Sequence, residues 1–224
     1  MKFIVIGLGL FGSSIARELQ GNGNEVIGVD REMALIEEIK DDITYALCLD
    51  CERESEARSL PLEDADWIIV AIGGNSGSNL LVSALMKRIS SARIACRIIQ
   101  PLQEEILRAI GVDIVIRPEL ESAIRWSKKF SYKSLLDYMN PNEHFSIMRI
   151  AVPDSFVGKT ISQLNVNKHY EIIFLNVEKS NSNNNSNKLQ IELARADTKL
   201  EGGDIITVYG NNQDMRKLLK TFDE

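Results

Sequence analysis

The residues best suited to chemistry in this chain begin close to its N-terminus. Gly7–Leu8–Gly9–Leu10–Phe11–Gly12 is a G-x-G-x-x-G string. It directly follows the apolar run Lys2–Ile6 and opens a run in which Ile15, Ala16 and Leu19 share one helical face. A glycine turn between a strand and a helix is the setting that gives such a string meaning. Gly7 permits the tight turn, Gly9 lets a diphosphate approach the backbone, and Gly12 allows close packing of helix on strand. The helix start then offers free N–H groups and a partial positive charge to phosphates. Asp30, 23 residues after Gly7, ends the next strand, where a carboxylate accepts hydrogen bonds from ribose hydroxyls. The neighbouring Arg31 suits a 2′-phosphate, but Asp30 would repel one, so an unphosphorylated ribose is expected. The plainer reading is that the glycines only pack the sheet and Asp30 is a solvated strand end. Strand, glycines and acid together favour the nucleotide.

Ligands of parallel sheets bind at the carboxyl ends of the strands. Asp50 and Cys51, then Gly73, Gly74 and Asn75, and finally Arg97 lie at such ends and are expected to complete the pocket. Arg97 is basic within an apolar strand and so needs a partner, either a phosphate or an internal carboxylate. Cys48 and Cys51 make a C-x-x-C, but zinc would need two further ligands and no second pair exists. The pair also ends the third strand instead of opening a helix after the first, so chance spacing is expected. Trp67 and Phe130 read as core.

These groups need a scaffold. Short β-branched runs alternate with helical patterns through the first part of the chain. Strands are expected at Lys2–Ile6, Glu25–Val29, Ile43–Leu49, Trp67–Ile72, Ile94–Ile98 and Asp113–Ile116. Helices are expected at Gly12–Gln20, Met33–Lys40, Glu52–Ser59, Leu80–Ile89, Gln103–Ile110 after a start at Pro101, and from Pro118 to about Phe130. That alternation predicts an α/β fold, a Rossmann-like doubly wound parallel sheet. Ser134–Tyr138 reads as one more helical turn, and Asn140–Pro141–Asn142 as a linker. A small α+β domain should follow, with strands at Phe145–Val152, Ile172–Val177 and Ile205–Tyr209. Between the first two, Asp154–Leu164 holds a turn at Gly158 and a brief helix. Ser180–Asn187 is a polar, low-complexity hairpin loop, and Asp214–Lys220 a terminal helix. The expected domains are residues 1–139 and 140–224.

Composition narrows the function classes. The net charge is −6, with 16 basic and 21 acidic side chains in residues 1–140. Neither part is basic, which argues against nucleic acid as the main partner. Phe3–Leu8 is too short and interrupted for a signal peptide or a spanning helix, so a membrane connection would run through a partner protein. Three cysteines make no even disulfide framework, which fits a reducing cytosol.

Longer stretches carry a more specific likeness: VIGLGLFGSSIAREL, VIGVD, DADWIIVAIGGN, EEILRAIGVD with its strand, and IRPE, then FVGKTISQLNV, YEIIFLNV and LEGGDIITVYG. Together they resemble the RCK (KTN) family, and more closely its Trk/Ktr-type peripheral subunits of potassium uptake, with an RCK-N domain followed by RCK-C. The resemblance implies a homodimer formed through the helix after strand six, assembled into a higher-order ring beneath a membrane potassium-translocating subunit. It implies a cytoplasmic protein, peripheral at the inner face of the cell membrane. Bound ATP, ADP or NAD(H) would change the ring's shape and gate the pore. By position, Asp30, Gly73, Asn75 and Arg97 take the family's nucleotide-contacting places. Glu119, in IRPE, matches an acid that in some members holds a cation near the phosphates; it is equally a carboxylate favoured by a helix N-terminus. Leu10 stands where many Ktr-type subunits carry an Arg that reaches the partner's terminal phosphate. Asn167 stands where some carry a basic residue for cyclic di-AMP, so that ligand is not expected.

Two other classes compete with a non-enzymatic regulator. A nicotinamide-dependent oxidoreductase would need a proton donor, and the only histidines are His144, in the linker, and His169, beside a loop. Neither sits with a plausible charged relay. A stand-alone nucleotide sensor with a non-transport partner has no sequence feature that separates it from a channel regulator.

Overall fold

The computed structural model describes residues 1–165, 170–180 and 190–223. The chain forms two compact units, Met1–Glu119 and Leu120–Glu224. That division falls earlier than the break expected at Asn140.

In the first unit β1 (Lys2–Ile6), β2 (Glu25–Asp30), β3 (Tyr45–Cys48), β4 (Trp67–Val70), β5 (Arg93–Arg97) and β6 (Ile114–Ile116) form one sheet in the order β3-β2-β1-β4-β5-β6. All five pairings are parallel. Parallel sheets are covered on both faces, and the continuous apolar strands show why this chain folds so. Ile4 and Ile6 pack on one side with Val82 and Met86, while Phe3 and Val5 pack on the other with Ala16, Ile36 and Ile39. Those partners come from α1 (Leu10–Gly21), α2 (Met33–Ile39) and α4 (Ser76–Ile89). The unit is completed by α3 (Glu54–Ala57) and α5 (Pro101–Ala109), and α6 (Pro118–Ser131) begins at its end. Pro101 sits in the first turn of α5, where its missing N–H costs no hydrogen bond.

The second unit is an antiparallel sheet of β7 (Leu135–Met139), β8 (Phe145–Ala151), β9 (Ile172–Lys179), β10 (Gln190–Leu193) and β11 (Ile205–Asn211), in the order β10-β9-β11-β8-β7. Between β8 and β9 lie a 3-10 turn at Asp154–Phe156 and the short α7 (Ile161–Leu164). Gly158 takes a left-handed φ of 83°, a turn that glycine makes without a steric cost. One face of the sheet is covered by α8 (Asn212–Asp223), whose Met215, Leu218 and Leu219 share a core with Met148, Ile150 and Val208.

Two expectations need correction here, and one strand is additional. Ser134–Tyr138 is not a helical turn: Leu135–Met139 is the edge strand β7, paired antiparallel with β8. Leu135 and Tyr138 are buried while Leu136 and Met139 are exposed, a three-residue spacing that goes with the register shift between Leu135 and Asp137. β10 was not anticipated at all. Phe130, read as core, is 81% exposed on α6. The expected hairpin loop lies beyond Ser180 outside the described residues, as do Asn167 and His169. No helix among the described residues is long and apolar enough to cross a membrane.

Candidate functional site

The strand order reverses between β1 and β4, and a cleft of ≈ 480 Å³ opens at the carboxyl ends of β1, β2, β4 and β5. Its size is that of a small-molecule site. Gly7, Gly9, Asp30, Arg31, Asp50, Cys51, Gly73, Asn75 and Arg97 all line it. Leu10, Phe11, Gly12 and Glu119, also expected at the site, lie outside this lining.

The glycine turn is built as the spacing demands. Gly7 has φ 93°, and its N–H donates to Val29 O at 2.8 Å, which fastens the turn to β2. At Gly12 a Cβ would stand 1.8 Å from Gly7 O, so helix and turn touch directly. Gly9 is different: no atom lies within 4 Å of the place its Cβ would take. Packing within the protein therefore does not explain Gly9. It also precedes α1 with no side-chain cap, leaving first-turn N–H groups of the helix without a protein acceptor there.

Asp30 is held rigidly. Its Oδ2 accepts from Leu8 N at 2.7 Å and its Oδ1 from Glu32 N at 3.0 Å. One bond on each oxygen leaves acceptor capacity for a ligand. Arg31 is drawn to Glu52 at 3.6 Å, and Asp50 accepts from Glu52 N at 3.1 Å and faces Arg53 at 3.4 Å. Asn75 has a structural task, since its Oδ1 caps α4 by accepting from Gly77 N and Ser78 N at 2.9 and 3.2 Å. That bond accounts for the residue without a ligand, as does its position at the cleft with one.

Within the protein Arg97 has a carboxylate partner. Its Nη2 pairs with the carboxylate of Glu119 in the first turn of α6. The guanidinium lies over Phe11, 5.5 Å from the ring centroid, and against Gly73. Its Nε is buried and has no hydrogen-bond partner. Glu119 is thus already neutralised, and no group of three or more His, Cys, Asp or Glu side chains among the described residues could hold a metal ion.

Burial pushes the Cys51 thiol up to about 12, with the Asp50, Glu56 and Asp30 charges adding to the shift. Cys48 is exposed and bonds Arg31 O at 3.4 Å. The two cysteines share neither environment nor task, in keeping with chance spacing.

Two contributors escaped the sequence reading. Asn79 is 1% exposed; its Nδ2 donates to Ile72 O and Arg97 O, both at 2.9 Å, tying the ends of β4 and β5 together. Gln103 is 4% exposed and accepts from Ile99 N and Gln100 N at 2.9 Å, fixing the turn after Arg97. The available signal was a polar residue on an apolar helical stripe: Asn79 sits with Val82 and Met86, and Gln103 with Leu107.

A parallel sheet with its glycine turn and cleft at the switch point defines the class of Rossmann-like nucleotide-binding domains, here followed by a small antiparallel domain. The TrkA-N domain family model matches residues 3–118, and the TrkA-C domain model residues 146–223. The chain belongs to the TrkA-N family, the RCK-type family its motifs suggested. It is 27% identical over 220 residues to the Ktr system potassium uptake protein A of Vibrio alginolyticus, covering 98% of this chain and 97% of that one. It is 28% identical over 219 residues to the Ktr system potassium uptake protein C of Bacillus subtilis (strain 168), covering 98% and 96%. Among solved structures, the NAD(P)-binding domain of an exopolyphosphatase-related protein from Archaeoglobus fulgidus is 26% identical, with a TM-score of 0.52 over 58% of this chain and 96% of that one. The GsuK RCK domain has a TM-score of 0.65 over the whole chain and 47% of its own length; at 14% identity it speaks for the fold alone.

Proposed function

We propose that this protein is a nucleotide-binding regulatory subunit that gates a membrane potassium-translocating protein, and that it is not an enzyme. The observation that carries the nucleotide is Gly9, whose missing side chain leaves open space at the mouth of a cleft beside an uncapped helix start. A phosphate group fits that space, and the residues present suit an adenine nucleotide. First-turn N–H groups of α1 would receive the phosphates, Asp30 the ribose hydroxyls, and Arg97 a phosphate charge. Asp50 and Cys51 would border the base. The potassium partner is supported by likeness to Ktr potassium uptake proteins along almost the full length of both chains. ATP, ADP and NAD(H) are the candidate ligands. A cation beside the phosphates would first require Glu119 to leave Arg97.

Gating of this kind needs no catalysis. A nucleotide that binds one arrangement of an assembly better than another shifts the population toward it, by no more than that difference in affinity. Self-association has a ready surface in α6, which exposes Leu120, Ile124, Trp126 and Phe130. A dimer through this helix, extended to a ring at the inner face of the cell membrane, is the assembly we infer.

The deciding experiment is calorimetric titration with ATP, ADP, AMP, NAD+, NADH and NADPH, repeated on Asp30→Ala, followed by potassium flux in vesicles carrying the membrane partner. Binding without turnover, weakened in the variant and accompanied by a change in flux, is the expected result. Net reduction or oxidation of a nicotinamide would overturn the non-enzymatic reading. Absence of binding to all six would overturn the sensor.

A further inference from the structure

Arg97 occupies two places at once. It lines the nucleotide cleft, and its Nη2 is engaged by Glu119 at the start of α6. A guanidinium offers two edges for bidentate recognition of an anion, one through Nε and Nη2 and the other through Nη1 and Nη2. Both edges use Nη2. A phosphate seated bidentately on Arg97 must therefore share Nη2 with Glu119, each anion taking at best one of its two N–H groups. Two anions on a single nitrogen lie close enough to repel strongly in a partly desolvated site.

The rest of the arrangement makes Glu119 the one to leave. The Glu119 side chain is 59% exposed, so water can replace the guanidinium when it departs, whereas the Arg97 side chain is only 17% exposed. Arg97 also has an unmet need, because its buried Nε–H lacks an acceptor in the present rotamer. No ligand oxygen reaches that buried atom unless the guanidinium turns. The groups against it are Gly73, which carries no side chain, and the face of Phe11.

We propose that a nucleotide phosphate and Glu119 compete for Arg97, so that filling the cleft releases the first turn of α6. The proposal rests on the nucleotide reading above and adds the route by which occupancy leaves the cleft. α6 begins at Pro118 in the first unit and its chain continues into the second. Arg97 is thus a positioning residue for the helix as well as a ligand contact. Coupling is reciprocal: whatever Glu119 takes from phosphate affinity, phosphate takes from the Glu119 contact.

The test is calorimetry of ADP and adenosine on the full chain in EDTA, with wild type, Glu119→Gln, Arg97→Lys and the double variant. Removing the Glu119 charge should tighten ADP by about fivefold or more, the lower range of ordinary coupling, and leave adenosine unchanged. In the Arg97→Lys background, where the fork is gone, the same change should have under about a twofold effect, since the coupling needs that fork. Hydrogen exchange over residues 118–124 should rise when ADP binds wild type, and should already be raised in Glu119→Gln. ADP binding that is weakened or unaltered by Glu119→Gln overturns the competition while leaving the nucleotide reading intact. Equal tightening in both backgrounds also overturns it, because a general charge effect would then suffice. Failure of ADP and adenosine to bind any of the four proteins sinks the nucleotide reading and this proposal together.

Discussion

Gly9 and Gly12 belong to one motif, yet adding a single methyl to each should have opposite consequences. In Gly12→Ala the new Cβ would stand 1.8 Å from Gly7 O and 2.9 Å from Gly7 C. Real contacts of this kind do not fall below 3.0 Å, so the carbonyl must retreat by at least 3.0 − 1.8, about 1.2 Å. The obstacle is backbone in a turn already fastened by the Gly7 N–H to Val29 O, so it cannot swing aside as a flexible side chain would. Overpacking of this sort costs about 1–3 kcal/mol, and more when backbone has to move. Alanine returns up to about 1 kcal/mol through its helix propensity. A net loss of about 2 kcal/mol follows, or on the order of 8 °C in the melting temperature of the first unit. Gly9→Ala meets no atom within 4 Å and should cost under about 1 kcal/mol, the loss of a glycine N-cap. Its methyl instead fills the space where phosphate would approach, so ADP affinity should fall by more than about tenfold, which corresponds to 1.4 kcal/mol. Thermal unfolding followed by Trp67 fluorescence, in a Trp126→Phe background, isolates the first unit; calorimetry measures the ligand. A Gly12→Ala protein melting within a degree or two of its parent would refute the steric argument. A Gly9→Ala protein that binds ADP normally would refute the phosphate assignment.

In the second unit, Asp204 is 1% exposed and accepts from Lys179 Nζ at 2.8 Å, Ser180 N at 3.0 Å and Glu201 N at 2.9 Å. Asp204→Ala strands the Ser180 and Glu201 N–H groups, leaves Lys179 only its bond to Lys199 O, and should cost about 3 kcal/mol; urea unfolding read from Trp126 in a Trp67→Phe background checks this, and an unchanged midpoint would contradict it. The Ile94 N–H holds the Asp113 carboxyl below the usual carboxylate range, against the opposing effect of burial and with Lys87 and Arg93 assisting. Because the folded form is depressed, its contribution to stability is present above about pH 4 and is lost as acid protonates the folded carboxylate. Asp113→Asn should therefore lose less stability than wild type between pH 6 and about pH 3, as measured by urea midpoints. Among the three thiols, exposed Cys48 should react with a maleimide at about pH 8 in the folded protein, whereas buried Cys51 and Cys96, both raised by desolvation, should react only on unfolding. Labelling of all three at one rate would contradict the burial assigned to the pair.

Much of the first unit was legible because its elements are locally encoded. KFIVI and WIIV are β-branched and apolar on both faces, and the helices between them carry one apolar stripe each, so period alone separates strand from helix. Gly7 and Asp30 could be placed at the sheet's edge for the same reason: a glycine turn after a strand fixes where that edge is. The region from Ser134 to Met139 was misread because Leu135, Leu136, Tyr138 and Met139 fit either period over so short a run. Pairing with β8, not propensity, made it a strand. β10 was missed because its only support is the ladder it forms with β9.

The parallel sheet, the glycine turn and the acid at its edge are readable from the order of residues alone, since each follows from residues adjacent in the chain. That Arg97 meets Glu119, that Asn75 caps α4 while Asn79 joins two strands, and that Phe130 faces outward emerge only in the folded chain. Those outcomes depend on which groups distant in sequence converge. A side chain's partner is set by the packing of whole elements, which local residue type does not encode.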